Sequence, residues 1–180
     1  MKAGAPSLAS NHLTLESADP SSLLRSAVAC IDILAPSLGR ILTTGTARAL
    51  ETALESSDQL TIRILALDPD SIVANLIAKH LGVPVGLYRE RLRGGLLEAR
   101  ELLRAWSAVR CRVRLTDDLL HYYYFRIDNV VLVSPLIETL ESRIGMTLQL
   151  HVEDPGVGNI QGHFDQLWGG SIPLEAFQGL

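Results

Sequence analysis

Cysteine is scarce in this 180-residue chain, long apolar runs are missing, and basic charge is not in excess. Cys30 and Cys111 lie inside Ala-Val-Ala-Cys-Ile and Val-Arg-Cys-Arg-Val without a framework spacing. A disulfide-stapled scaffold is therefore not expected, and both read as small core residues in a reducing compartment. No stretch approaches the ~18 apolar residues of a membrane helix. Met1 to Ser10 has one lysine and lacks the ~7–15-residue apolar core of an export signal, so a cytoplasmic location is expected. The net charge of −4 and pI near 5.7 argue against a dedicated duplex-binding protein, so duplex nucleic acid is not an expected partner. Repeats and low-complexity tracts are also missing.

What is present suffices for a core. Apolar residues make up 47% and charged residues 20%, and a chain this long can bury roughly 70% of its surface. One domain is expected over residues 21–170, with a flexible N-terminal segment at 1–20 and a tail at 171–180. Within it, Asp19-Pro20-Ser21-Ser22 opens a helix read as Ser22 to Cys30. Ile31 to Pro36 reads as a strand stopped by proline, and Ala47 to Ser56 as a helix with a threonine cap. Leu60 to Leu67 is a strand, ended by Asp68-Pro69-Asp70-Ser71, which also caps the next helix. Ile72, Val73, Leu76, Ile77, His80 and Leu81 recur at helical spacing, with Gly82 as the stop.

After a bridge through Pro84 and Gly86, Leu92 to Trp106 marks a second helical face, weakened at its start by Gly94-Gly95. Cys111 to Leu115, Tyr122 to Ile127, Val130 to Ser134 and Met146 to Val152 are strands, with a tight turn at Asp128-Asn129. Ile160 to Trp168 is the closing helix. Strands joined by helices precede a meander, so the fold class expected is α/β (α+β), a mixed sheet flanked by helices.

Charge is uneven. Between residues 89 and 114, eight arginines against three glutamates leave +5, and the rest of the chain −9. Arginine forks fit phosphate bidentately, but pairs such as Glu90–Arg93 and Glu101–Arg104 describe an ordinary solvated helix equally well. Arg112 and Arg114, two strand positions apart, share a face and stay ligand-binding candidates.

His121-Tyr-Tyr-Tyr-Phe-Arg-Ile-Asp128 precedes the apolar run Val130-Val131-Leu132-Val133. This segment resembles the His-x-Lys-x4-Asp strand pair of the phospholipase D-like superfamily. Ile31 to Pro36 and Leu60 to Pro69 resemble its leading β-α-β unit. Phe164 to Trp168 resembles the closing helix of compact bacterial members, some of which follow DNA-binding domains in regulators. The resemblance implies that histidine attacks a phosphodiester, lysine binds the phosphate oxygens, and a second copy, often a dimer mate, completes the site.

The departures matter more. Position 123 holds tyrosine where the pattern has lysine, and tyrosine cannot supply a cation to a transferring phosphoryl group. Arg126 has the opposite strand parity from His121 and Tyr123. Ser134 is followed by Pro135, Leu136 and Ile137, and His151-Val-Glu153 puts a carboxylate where a second lysine belongs. His121 is a strand-start structural residue, a ligand contact or, if the protein is active, a nucleophile alongside Asp128. The expectation is a catalytically inactive regulatory, ligand-sensing or protein-interaction module, with His121, Tyr123, Arg112 and Arg114 as candidate contacts for a protein partner or a phosphate-bearing small molecule. It is expected to be a homodimer, with Tyr122 to Phe125 or their neighbours near the contact. A dimeric phosphodiesterase or nuclease and a purely structural assembly protein are the alternatives.

The remaining signals are weak. No metal spacing exists among the five histidines, and no cofactor is expected. Thr44-Gly45-Thr46 lacks the Gly-Lys-Ser/Thr end of a phosphate loop. Gly156-Val-Gly158-Asn reads as a glycine loop without a strand-helix context.

Overall fold

A computed structural model describes residues 10–12, 15–106, 110–135 and 146–179. Short strand β1 (Ser10–His12) is followed by α1 (Pro20–Arg25), β2 (Cys30–Ala35), α2 (Thr44–Ser56), β3 (Thr61–Leu67), α3 (Ile72–His80) and α4 (Val85–Ala105). Then come β4 (Cys111–Thr116), β5 (Tyr122–Ile127), β6 (Val130–Pro135), β7 (Thr147–His151), α5 (Val157–Gly170) and β8 (Ile172–Pro173). All described strands join one sheet, in the order β1-β7-β6-β5-β2-β3-β4-β8. β2, β3 and β4 are mutually parallel, whereas the β5-β6-β7-β1 meander and β8 are antiparallel to their neighbours.

Both faces are covered. Ile31, Ile33, Ile62, Ile64, Val113, Phe125 and Ile127 pack on one side against α1, α2 and the second half of α4. Leu34, Leu65, Leu67, Tyr124 and Val131 pack on the other against α3, the first half of α4 and α5. Continuous apolar strands such as β3 are what two covered faces require.

The expected strands are all found, but several boundaries move. Ser10–His12 pairs with β7, so the N-terminal segment contributes an edge strand. The residues 171–180 tail likewise adds β8 beside β4 and buries Leu174. α1 stops at Arg25, not Cys30, because Cys30 already pairs in β2. Thr43, rather than the Thr44-Gly45-Thr46 triplet, accepts from the Thr46 amide and caps α2. Gly156, at φ +88°, is the N-cap of α5, so the glycine segment does join a strand to a helix.

The largest shift is α4, which runs through both Gly86 and Gly94-Gly95. The reason for Gly95 is contact. A Cβ there would lie 2.5 Å from the Gly39 amide nitrogen, while one at Gly94 would meet nothing within 4 Å. Gly95→Ala should therefore destabilise by about 1–3 kcal/mol through overpacking, although alanine is the better helix former. Gly94→Ala should gain up to about 1 kcal/mol. Thermal denaturation of the two variants checks the opposite signs.

Candidate functional site at the carboxyl edge of the sheet

His121 stands just before β5, which is antiparallel to β2, so it lies at the carboxyl ends of the parallel strands. Its side chain is exposed. Tyr123 is not beside it in solvent. The tyrosine is 2% exposed and belongs to the core cluster that holds Phe125 and Ile127. Across the meander it pairs with Ser134, whose hydroxyl lies 2.7 Å from that of Thr147. Ser134 and Thr147 are fully buried. The lysine-equivalent position thus points into packed protein. Leu136 and Ile137 lie outside the described residues.

The aromatic run does not divide into a core face and an open face. Tyr123, Tyr124 and Phe125 are all buried, because β5 is a central strand covered on both sides. Tyr122 is half-buried, and its hydroxyl is 2.7 Å from His163 Nδ1 on α5. Just before the run, His121 and Leu119 are exposed and open to a contact between copies.

Asp128 occupies the turn between β5 and β6 with φ +49°, and its carboxylate accepts from the amides of Val28, Ala29 and Cys30, each at 2.9 Å. Burial pushes its pKa up, but the three amides and Arg126 outweigh burial, and the net shift is downward. This is a structural clamp holding the entry of β2. A carboxylate whose folded pKa lies below its unfolded value adds stability above the unfolded pKa and loses it as pH falls through the folded one. Asp128→Asn should therefore be less stable than wild type near neutrality. The gap should narrow below the ordinary carboxylate range, which urea denaturation across pH will read.

The edge around His121 carries more acidic than basic groups, with exposed Arg40 following β2. Asp68 follows β3, and Asp117 and Asp118 follow β4. Asp70 pairs with Arg93 and, at 3.5 Å, with Arg89, so those arginines are already answered. Arg93 thus pairs with Asp70 rather than Glu90, whereas Glu101–Arg104 does form, at 2.7 Å. Carboxylates at this edge oppose an incoming phosphodiester.

Arg112 and Arg114 do share a face, but on the side opposite Tyr123. Arg112 is exposed; Arg114 donates to the Ser171 carbonyl and lies 5.4 Å above the Trp168 ring. Next to them is a group the sequence reading missed. Asp32, 2% exposed, takes two hydrogen bonds from Arg63, at 2.6 and 2.8 Å. Arg63 also reaches Asp165 of α5 at 2.8 Å and stacks over Phe164, while Arg126 approaches Asp32 at 3.9 Å. The signal was a single charge within each of two apolar strands, Ile31-Asp32-Ile33 and Ile62-Arg63-Ile64.

Cys30 and Cys111 are free thiols, and burial pushes Cys111 up to about 12, leaving it protonated. Among the described residues no cluster of acids, histidines or cysteines could hold a metal, and no helix is long and apolar enough to cross a membrane.

No family model and no curated protein matches the sequence. Solved structures do. Phosphatidylserine synthase of Haemophilus influenzae aligns with a TM-score of 0.65 at 15% identity, over 96% of this chain and 40% of its own. Nuc of Salmonella typhimurium, a phospholipase D family member, aligns at 0.58 and 12% identity, over 94% of this chain and 98% of its own. The archaeal chromatin protein TrmBL2, whose structure shows a novel mode of DNA binding, aligns at 0.57 and 12% identity, over 96% and 55%. This chain spans about half the length of TrmBL2 and two fifths of the synthase. It has the phospholipase D-like fold, an α+β architecture built on a mixed sheet.

Proposed function

We propose that this chain is a catalytically silent phospholipase D-like module that works as a regulatory or protein-interaction domain, paired with a second copy. The observation that carries the reading is Tyr123: the position that should present a cation to phosphate is a tyrosine packed in the core. The surrounding edge adds Asp68, Asp117 and Asp118, Asp70 engages Arg89 and Arg93, and Arg40 is the exposed arginine that follows β2 there. A protein partner suits such a surface better than a phosphate-bearing small molecule. Exposed Ile72, Leu76 and Leu119 provide apolar area near the same edge for a second copy. An enzyme built across a dimer with His121 from each subunit is the second reading, and it rests on the exposure of His121.

One preparation tests both parts. The purified protein should show no turnover of bis-p-nitrophenyl phosphate or single-stranded DNA, since loss of one charge-stabilising donor already costs ~10²–10³ in rate. Light scattering should give a dimer. A monomer at about 100 µM would sink the pairing, because a stable interface normally buries more than ~1,000 Å². Hydrolysis that disappears in His121→Ala would replace the silent module by the enzyme.

A further inference from the structure

On the sheet face that carries Tyr123, the second half of α4 does not close completely against β4 and the turn after β8. A cavity of about 490 Å³ remains there, within the ~300–1,000 Å³ of small-molecule sites. Cys111, which opens β4, is part of its lining. The cavity therefore lies at the amino end of the parallel strands, away from His121. Trp106, Leu174 and Phe177 give it an apolar wall.

Its charges are not balanced in the same way. Arg104 is met by Glu101 at 2.7 Å. Arg100 also lines the cavity, and none of the ion pairs among the described residues involves it. A guanidinium beside an aromatic wall is suited to a planar or tetrahedral anion whose body is apolar. Exposed Glu175, at the same cavity, opposes a second negative charge on the ligand.

We propose that this cavity binds a small amphipathic anion: one carboxylate, sulfonate or phosphate head on an aromatic or aliphatic body. Arg100 holds the head, and Trp106, Leu174 and Phe177 hold the body. The site is separate from the carboxyl edge and does not depend on what that edge does.

The probe is 1-anilinonaphthalene-8-sulfonate, titrated into the full chain. The chain has two tryptophans, Trp106 and Trp168, so Trp168→Phe leaves Trp106 as the sole donor of energy transfer to the dye. Saturable binding of one dye per chain, with quenching of Trp106, is expected. Arg100→Gln should weaken it about tenfold, the size of one charge-assisted hydrogen bond, and Glu175→Gln should strengthen it. The uncharged analogue N-phenyl-1-naphthylamine should bind at least tenfold more weakly than the sulfonate. Wild-type affinity in Arg100→Gln, equal binding of the uncharged analogue, or dye bound without quenching of Trp106 overturns the proposal.

Discussion

Asp32→Ala should cost about 3–5 kcal/mol of stability, the range for breaking a buried ion pair by removing one partner. The carboxylate is 2% exposed and is the acceptor for two Arg63 donors. Without it, Arg63 keeps one carboxylate, Asp165, which is 55% exposed, and Arg126 loses the charge it faces. For a chain of this size the midpoint should fall by roughly 10 °C. Arg63→Met alone should also destabilise, since it strands the Asp32 carboxylate in the core. The double variant should lose much less than the sum, with a coupling of about 2 kcal/mol. Additive losses would mean that the pair is not one unit. A chemical denaturation cycle on the four proteins decides it.

Tyr123→Lys should unfold the protein sooner than it restores phosphodiesterase chemistry. In an open site a lysine would supply the missing cation. Here the side chain is part of the core cluster that also holds Phe125 and Ile33. A lone ammonium there costs several kcal/mol, or loses its proton and with it the charge the chemistry needs. A loss of about 3–5 kcal/mol is expected, against about 1 kcal/mol for Tyr123→Phe, which removes one hydroxyl. The folded fraction of the lysine variant should show no hydrolysis of bis-p-nitrophenyl phosphate. A stable, active Tyr123→Lys protein would show that position 123 reaches solvent and would return the domain to the enzymes.

Both predictions depend on the same property of the fold. The central strands β5, β2 and β3 are covered on both faces, so any charge they carry is either paired inside or excluded. Asp128 holds three amides at the entry to β2 from a left-handed turn.

Local pattern was enough for much of the architecture. Alternation and apolar runs located the strands from Ile31 to Val152, and the Asp128-Asn129 pair located the hairpin, because strand period and turn chemistry act over a few residues. A cap for α3 within Asp68-Pro69-Asp70-Ser71 was legible for the same reason, and Ser71 supplies it. The His121 to Asp128 spacing pointed to a phospholipase D-like fold, with tyrosine at 123 where that pattern has lysine. Tertiary structure decided the rest. α4 continues through Gly94-Gly95 because Gly39 lies against Gly95, a contact between residues far apart in the chain. The Asp32–Arg63 pair exists because β2 and β3 register those two positions side by side, and the tyrosines are buried because helices from elsewhere cover both faces. Which charge meets which, and which face stays open, depends on long-range packing that no short window of sequence contains.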